Sequence, residues 1–432
     1  MLLGSRFQIE TLAIFSVFFG FYLVIELVLS LGKRIPYFEL MFAAFGIQLL
    51  ISPFLEYHYF FNSVIGVMTI DESNYFGFVT YAILALYLGF KLITIDIEDS
   101  QQEARLAVES GPEKYELLGK YLILSGYLFY GLTFFNNSFI ITALSYLRFI
   151  GSLYVLYSRS SKTMFYMLIV WVPFLFITIK SVIFINLIIW LVLLYCFLKL
   201  NKKVNTIFIS SLMIIAFIAI SVLQSVKQIY RESAWDPDAK KKLSLTTLMI
   251  DQINNLDAER IKSIGAIMNV RINQGWIISH GMRNLGDDVR NLSQNYLKQE
   301  LIGIFLPRFL YKDKVVVGSY HKFKEFTGWE LAEGTAMNLG IIGDLYLNFG
   351  KKYGIIMGLV FGLLLGLLHK IYLFKLFTYP DLIFWSVLFY FMIMRAGNEF
   401  YIIMNWYFKT IVIVAIFFSY VRPYVLKKAS FF

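Results

Sequence analysis

Arginine and histidine side chains gather in one polar stretch of the chain, between Lys227 and about Thr335. The stretch contains six arginines and two histidines: Arg231, Arg260, Arg271, Arg283, Arg290, Arg308, His280 and His321. A planar guanidinium group binds two phosphate oxygens at once and keeps its charge at any physiological pH. A single arginine of this kind more often contacts a lipid headgroup or pairs with a nearby carboxylate. As a group, the arginines favour an anionic ligand such as a lipid diphosphate.

Arg148 is a further candidate, because it falls about halfway along an apolar run that is long enough to cross a membrane. A charge at that depth costs about 3 kcal/mol on insertion scales, so the side chain must find a partner or a wet cavity. It binds a ligand, pairs with an intramembrane carboxylate such as Glu26 or Glu39, or extends towards the membrane surface. Arg395 and Glu399 share a short turn, where they reach the same external cavity or form a local ion pair.

Small and polar residues recur every fourth position in the segment Ala336–Gly350. Gly340, Asp344 and Asn348 are spaced i, i+4 and i+8, so a helix would carry them as one stripe on an otherwise apolar surface. A helix of this length measures about 22 Å, which is too short to span a membrane comfortably. We therefore predict a re-entrant or interfacial helix over 336–352 whose polar stripe lines a cavity.

The next run carries an unbroken row of glycines at every fourth position, Gly354, Gly358, Gly362 and Gly366. Glycine rows let two transmembrane helices approach closely. The row therefore predicts close packing rather than chemistry, and packing of this kind would stiffen a site beside it.

The composition places all these residues in a membrane protein. Of the 432 residues, 58% are hydrophobic and only 16% are charged, whereas soluble domains average about 45–50% and about 25%. Long runs rich in Leu, Ile and Phe favour helices over a barrel. The runs of spanning length fall at about 11–30, 37–54, 75–95, 118–134, 138–157, 164–179, 181–198, 205–226, 353–369, 380–394 and 400–419. We predict an all-α polytopic integral membrane protein with about 11 (10–12) transmembrane helices and one large external loop.

The net charge of +10 would suggest nucleic acid in a soluble protein, but here it reports orientation. Lys and Arg collect in the connections at 31–36, 96–117, 158–163, 199–204 and 370–379 and in the C-terminal tail, which predicts that these lie in the cytoplasm. The same count places the N-terminus and the polar stretch outside. Four parts follow: a bundle of about eight helices over 1–226, an external loop with helices over 227–335, the short helix over 336–352, and C-terminal spans over 353–432.

Order rather than a flexible tether is expected in the loop, because Asp257 can cap a helix that runs through Arg260, Ile264, Ile267 and Arg271. The chain has no Gly-rich nucleotide loop, no HExxH, no GxSxG and no His or Cys cluster at metal spacing. We therefore expect neither a cofactor nor a metal. An enzyme built this way would use a preassembled lipid-linked donor on the external face.

Two stretches carry a resemblance to a known family. The first is Leu-Pro-Arg-Phe-Leu-Tyr-Lys-Asp-Lys at 306–314, and the second is Asn-Leu-Gly-Ile-Ile-Gly-Asp-Leu-Tyr-Leu-Asn-Phe-Gly at 338–350. Together they resemble the Wzy-type oligosaccharide repeat-unit polymerases, or O-antigen polymerases, of bacterial envelopes. The specific likeness covers about 303–366, and the remainder rests on hydropathy. Val315 departs from the pattern, since a proline is expected after the lysine.

The resemblance implies an enzyme of the bacterial inner membrane whose large loop is periplasmic. It would transfer a growing glycan from one undecaprenyl diphosphate to the nonreducing-end sugar of another carrier-linked unit. The expected partners are the undecaprenyl-diphosphate-linked oligosaccharide and membrane lipids, with a chain-length regulator protein as an optional partner. Arginines would stabilise the leaving diphosphate, and a carboxylate or imidazole would take the proton of the attacking hydroxyl.

We assign these roles to residues as follows. The expected bases are Glu333, which we place first, then Asp344, His321 and His280. Arg271 and Arg308 are expected to bind the diphosphate, with Arg283 and Arg290 as secondary contacts. Further substrate contacts are expected from Arg148, Tyr320, Asn338 and Asn348, and the rings of Trp276, Tyr320 and Trp329 are suited to stacking on sugars.

Two other functions fit the same sequence. An O-antigen ligase uses the same donor but transfers the glycan to a lipid A core. A lipid-linked oligosaccharide flippase is a carrier rather than an enzyme, and it should show paired repeats and many intramembrane charges along a central path. No internal repeat is visible, and the polar residues concentrate in one loop, which favours an enzyme.

Overall fold

The chain is helical throughout the part that the computed structural model describes. That part comprises residues 10–60, 66–94, 100–110, 114–135, 138–181, 185–200, 202–235, 244–286, 296–306, 310–311, 320–331, 335 and 337–429. It contains helices and no β-strand. The predicted all-α class is therefore confirmed for these residues.

Ten described helices precede residue 236. They are α1 (Thr11–Ser30), α2 (Tyr37–His58, with a π-helical turn at Gly46–Ile51), α3 (Glu72–Thr94), α4 (Ser100–Glu109), α5 (Lys114–Leu132), α6 (Phe139–Ser145), α7 (Leu147–Tyr157), α8 (Thr163–Ser181), α9 (Ile185–Lys199) and α10 (Thr206–Trp235). The last of these extends well past residue 226, so the eighth apolar run and the start of the polar stretch form one helix.

The remaining described helices follow residue 243. They are α11 (Leu245–Asn254), α12 (Ala258–Ile272), α13 (Gly275–Leu285), α14 (Tyr296–Phe305), α15 (Tyr320–Thr327), α16 (Gly340–Thr378), α17 (Ser386–Tyr390), α18 (Phe400–Ile416) and α19 (Arg422–Ala429). A 3-10 helix at Pro380–Trp385 leads into α17, and a π-helical turn at Phe417–Val421 follows α18.

Seven of the described helical segments are long and apolar enough to cross a membrane by length and composition. They are Thr11–Ser30, Tyr37–His58, Glu72–Thr94, Phe139–Tyr157, Thr206–Val226, Gly340–Thr378 and Phe400–Lys427. Large apolar side chains such as Phe18 and Leu124 stay about 70% exposed on the helices, which suits lipid surroundings rather than water. The chain is thus a membrane-embedded helical protein, while the count of about eleven spans stays a prediction.

The glycine row packs against α3 as the sequence predicts. A Cβ at Gly358 would lie 3.0 Å from the carbonyl oxygen of Ala82, and one at Gly366 would lie 2.9 Å from that of Phe90. Residue numbers rise together along the two helices, so α3 and this part of α16 run parallel. The predicted packing role of the row is confirmed, and side chains there would force the two backbones apart.

Helix α16 is broken at Gly350, whose backbone has φ 69° and ψ −173°. A Cβ at Gly354 would lie 3.0 Å from the carbonyl oxygen of Leu345, although nine residues of straight helix would separate these positions by about 13.5 Å. The chain therefore folds back on itself, and we call 340–349 the short arm and 351–378 the long arm. The short helix predicted over 336–352 matches the short arm, and its position relative to a membrane stays a prediction.

Helices of the polar stretch pack on the bundle. Asp257 accepts a hydrogen bond from the backbone N–H of Arg260 at 2.7 Å and begins α12, which confirms the predicted cap. Asn269 on α12 donates to Glu56 Oε2 at 2.8 Å and accepts from Ser52 Oγ at 2.5 Å. These buried bonds to α2 hold α12 in place, so this part of the stretch is ordered structure.

Candidate functional site

A lysine and three carboxylates form a buried cluster at the centre of the C-terminal half. Lys322 Nζ donates to Glu300 Oε1 at 2.5 Å, to Asp344 Oδ1 at 2.8 Å and to Glu399 Oε2 at 2.8 Å. None of the four residues is more than 4% exposed. We call these residues the acid cluster. Burying charges is costly unless they are paired and hydrogen-bonded, so a group of this kind marks a place where the fold requires charge.

Four separate elements supply the acid cluster. Glu300 comes from α14, Lys322 from α15, Asp344 from the short arm, and Glu399 from the residue that precedes α18. Glu399 also accepts a hydrogen bond from the backbone N–H of Leu339 at 3.2 Å, directly before the short arm begins at Gly340. The positive end of that helix therefore faces the carboxylate.

Asp344 has a second donor besides the lysine. Asn348, one turn later, donates from Nδ2 to Asp344 Oδ1 at 3.1 Å and to its backbone carbonyl at 3.0 Å. The predicted polar stripe thus forms, and it faces the acid cluster rather than open solvent. Asn338 lies at the edge, where its Nδ2 is 3.5 Å from Asn398 Oδ1.

The acid cluster contains more negative than positive charge when all its groups are ionised. Burial raises the pKa of Glu300 to about 8, and the charges of Asp344 and Glu399 add to that rise although Lys322 opposes it. Burial alone would lower the pKa of Lys322, but the three carboxylates hold it well above its usual value. At neutral pH the lysine is therefore charged and Glu300 keeps a proton.

The three carboxylates lie close enough to hold a metal ion, since one oxygen of each falls within 4.8 Å of the others. The ammonium group of Lys322 already contacts all three, and it takes the position that a cation would occupy. In this arrangement the lysine offsets the charge of one carboxylate, and the proton on Glu300 removes that of a second.

An apolar groove lies one helical turn along α14 from Glu300 of the acid cluster, where Ile304 and Phe305 line it. It has a volume of about 810 Å³ and is lined on one side by Leu122, Leu144 and Leu147 and on another by Phe305 and Phe408. The rings of Phe305 and Phe408 lie 4.7 Å apart. Helix α14 carries Glu300 and then Phe305, and α18 follows Glu399 and carries Phe408, so both helices run from the acid cluster to the groove.

The structure separates several predicted site residues from the acid cluster. His321 is exposed although Lys322 beside it is buried, and its ring contacts Tyr320 at 5.6 Å. Arg271 and Arg283 are also exposed. Of the alternative bases, Asp344 therefore belongs to the acid cluster and His321 does not, because successive residues on α15 point in different directions.

His280 belongs to an aromatic group on α13. Its ring lies 5.7 Å from Trp276 and 5.3 Å from Trp329. Burial lowers the pKa of His280, and the nearby charge of Arg283 lowers it further. Trp276 is only 5% exposed whereas Trp329 is 39% exposed, so the expected sugar stacking is open to Trp329 and wrong for Trp276. The predicted Arg290, Arg308 and Glu333 lie outside the described residues.

Arg148 has none of the carboxylate partners considered for it. Glu26 pairs with Lys91 and Glu39 pairs with Arg34 at 2.7 Å. Arg148 is 6% exposed and lies over the ring of Tyr130 at 4.0 Å. Of the alternatives considered for Arg148, the pair with Glu26 or Glu39 is therefore wrong.

Arg395 is likewise separated from Glu399, so the local ion pair considered for them is wrong. Arg395 donates to Asn186 instead, and its guanidinium lies over Phe391 at 4.9 Å.

Three buried donors near these arginines have no hydrogen-bond acceptor in the described structure. They are Arg148 Nη1, Arg395 Nε and Trp190 Nε1. The ring of Tyr146 links them, since it lies 5.8 Å from Trp190 and 4.8 Å from Phe391. Arg148 reaches the same aromatic group over Phe149, at 5.0 Å. We call Arg148, Arg395 and Trp190 the donor group; it offers hydrogen bonds and positive charge together.

Sequence reasoning missed Glu300 and Lys322. Each interrupts the apolar face of a short amphipathic helix: Glu300 is followed one turn later by the buried Ile304, and Lys322 precedes the buried Phe323 and Phe326. A charge on an apolar face was the available signal, but it does not reveal which residues meet.

Comparison of the chain with protein-family models, with curated proteins and with solved structures gives no match. The function proposed below therefore rests on the acid cluster, the groove, the donor group and the residue pattern of 303–366. Each of these features is observed in this chain itself, without support from a related protein.

Proposed function

We propose that the chain is a membrane glycosyltransferase that polymerises oligosaccharide repeat units carried on undecaprenyl diphosphate. The observation that carries the proposal is a buried acid cluster one helical turn from an apolar groove, with Lys322 and Asp344 in the segment that resembles the Wzy-type polymerases. The acid cluster, the donor group and the groove match the three parts of such a substrate, namely a sugar hydroxyl, a diphosphate and a long apolar chain.

The groove suits the lipid part of the substrate. Its described lining is almost entirely aliphatic or aromatic, and its volume of about 810 Å³ lies within the range of ligand pockets, about 300–1,000 Å³. The carrier chain lies in the membrane rather than in water, so the groove would hold a few isoprene units by van der Waals packing.

The donor group suits the diphosphate. Arg395 lies four residues before Glu399, so one short segment joins the donor group to the acid cluster. Two guanidinium groups and an indole N–H, without a carboxylate partner in the described structure, are complementary to an anion. Their charge would stabilise the diphosphate as the bond to the sugar breaks. In this proposal Arg148 and Arg395 take the role first expected of Arg271.

The acid cluster suits the proton transfer. The acceptor hydroxyl attacks the anomeric carbon, the bond from that carbon to the diphosphate oxygen breaks, and the lipid diphosphate leaves with the bonding electrons. The proton of the hydroxyl passes to a carboxylate. Asp344 is our choice among the described residues, because its side chain holds both the Lys322 and the Asn348 hydrogen bonds. Glu333 stays a prediction from the sequence.

Deleting the gene in the bacterium that carries it and separating the surface glycan on a gel tests the reaction. A single repeat unit on the lipid core without a ladder supports the polymerase. Loss of all core-attached repeats contradicts it and favours the ligase or the flippase. In the complemented strain, Asp344→Asn should shorten the ladder strongly, whereas Glu330→Gln at an exposed loop position should leave it intact. A normal ladder with Asp344→Asn would remove Asp344 from the reaction.

A transporter is the second candidate, because a buried lysine with three carboxylates can exchange a proton with the two sides of a membrane. The break at Gly350 also resembles the interrupted helices of transporters. Purified protein in lipid vesicles separates the two: movement of a lipid-linked oligosaccharide across the vesicle membrane without growth of the glycan supports transport. Growth without such movement supports the polymerase.

The proposal includes an orientation. The basic connections and the C-terminus lie in the cytoplasm, and the polar stretch with the acid cluster lies on the periplasmic side of a bacterial inner membrane. The excess of Lys and Arg in the connections supports this choice. The parallel course of α3 and the long arm is consistent with it, because both helices then cross from the periplasm to the cytoplasm.

A further inference from the structure

A small basic cavity lies where α4, α7 and α9 meet. It has a volume of about 150 Å³, and its charged lining consists of Arg105, Glu109, Arg159 and Lys202. We propose that this cavity binds the phosphate group of an anionic phospholipid. The proposal does not depend on the reaction proposed above, because none of these residues belongs to the acid cluster or the donor group.

The side chains that line the cavity carry a net positive charge. Arg105 Nε donates to Glu109 Oε1 at 2.7 Å, which occupies the one carboxylate in the described lining. No ion pair joins Arg159 or Lys202 to another described residue, so two positive charges are left over. An anion would neutralise them.

A buried donor also lacks an acceptor here. Arg105 is 9% exposed, and its Nη1 has no hydrogen-bond partner in the described structure. Leaving a buried polar group unsatisfied is costly, and more so when the group is charged. The guanidinium lies over the ring of Tyr157 at 5.6 Å, which orients it without giving Nη1 an oxygen. A phosphate oxygen would supply the missing acceptor.

The apolar rim of the cavity favours a lipid over free phosphate. Leu156 and Leu198 line it together with Phe197, and Leu198 is 42% exposed. Leu106, beside Arg105 on the amphipathic helix α4, is 60% exposed. Exposed leucines next to cations are typical of helices that lie in the membrane interface. A headgroup phosphate in the cavity would let the acyl chains cover these leucines.

The cavity also lies at the basic end of the bundle. Helix α4 is fixed to the first connection, because Gln101 Oε1 accepts from the backbone N–H of Ile35 at 2.8 Å and Gln102 donates to the carbonyl of Lys33 at 2.9 Å. This end carries the connections predicted to face the cytoplasm, where anionic headgroups attract basic residues.

Native mass spectrometry of the purified full-length protein tests the proposal. The probes are a phosphatidylglycerol, a phosphatidylcholine of the same chain length, and inorganic phosphate alone. We expect the wild type to retain phosphatidylglycerol in preference to phosphatidylcholine. The double variant Arg159→Gln/Lys202→Gln should weaken phosphatidylglycerol binding roughly 25-fold, since each of the two cations contributes about a factor of five. Both side chains are exposed, so the fold should survive.

The control carries the same change of charge elsewhere at this end, Lys33→Gln/Lys375→Gln, and should bind phosphatidylglycerol like the wild type. Equal loss in the control would show a diffuse charge effect and overturn the site. A different result would contradict the lipid: inorganic phosphate displaces phosphatidylglycerol and stabilises the protein equally well. The ligand of the cavity would then be free phosphate rather than a lipid headgroup. No preference for phosphatidylglycerol in the wild type would show that these cations only neutralise helix ends.

Discussion

At the scale of single residues, the stability of the protein depends most on the charges of the acid cluster. Lys322 holds three carboxylates that no other described cation contacts at hydrogen-bonding distance. A buried charge pair adds little stability when compared with an apolar pair, but removing one partner leaves the other uncompensated. The lysine is therefore the residue whose loss the fold tolerates least.

We expect Lys322→Met to destabilise the protein by about 3–5 kcal/mol, because the remaining carboxylates lose the buried cation that they share. Thermal unfolding of the purified protein in detergent measures the change. Lys324→Met is the matched control, since Lys324 lies two residues away on the same helix and is exposed; its melting temperature should stay near that of the wild type. Unchanged stability with Lys322→Met would contradict the buried cluster.

The proton on Glu300 predicts a pH dependence of stability. The pKa of this carboxyl rises from 4.5 to about 8 on folding, so between these values the folded state binds more protons than the unfolded state. The contribution of Glu300 to the free energy of unfolding is therefore fully present below about pH 4.5, falls as the pH rises, and is lost above about pH 8. Glu300→Gln should flatten this part of the profile. Unfolding measured from pH 5 to 9 tests it, and parallel profiles for the two proteins would refute the assignment.

At the scale of the helices, glycines determine which segments meet. The long arm packs on α3 through the glycine row, and Gly350 lets the short arm fold back so that Asp344 reaches the acid cluster. The conformation of Gly350 is one that other residues adopt only at a cost of about 1–3 kcal/mol. Packing and site geometry therefore depend on two kinds of glycine, one chosen for its size and one for its backbone.

Gly362→Leu tests the packing of the long arm. A Cβ at Gly362 would collide with the carbonyl oxygen of Leu86 on α3, so we expect a loss of about 1–3 kcal/mol or more from overpacking. The thermal unfolding temperature measures it. Gly131→Leu serves as the comparison, because a Cβ added at this helical glycine would meet no atom within 4 Å, and it should change little. Equal effects of the two substitutions would argue against close helix contact.

At the scale of the whole molecule, the acid cluster and the basic cavity belong to opposite ends of the bundle in the proposed orientation. The single cysteine, Cys196, is buried, and replacing it by alanine gives a background for labelling. We expect an impermeant maleimide on cells with a permeable outer membrane to label Glu330→Cys. Lys203→Cys should react only after the inner membrane is opened. The reverse pattern would invert the orientation, and equal labelling would place both positions on one side.

The sequence by itself determined the helical class, the membrane setting, the polar stripe, the cap at Asp257 and the packing role of the glycine row. These features depend on composition and on periodicities of a few residues, which local physics controls. It also identified Asp344 and Asn348 as neighbours, because they lie one helical turn apart. The sequence left the partners of Arg148 and Glu399 open.

Only the tertiary structure decided that Lys322 joins Glu300, Asp344 and Glu399, that His321 stands apart, and that Arg148 meets Arg395 across an aromatic group. These contacts join residues up to about 250 positions apart, and no spacing rule predicts which helices become neighbours. Burial then assigns the chemistry, because a carboxylate placed beside two others without water must keep a proton or find a cation.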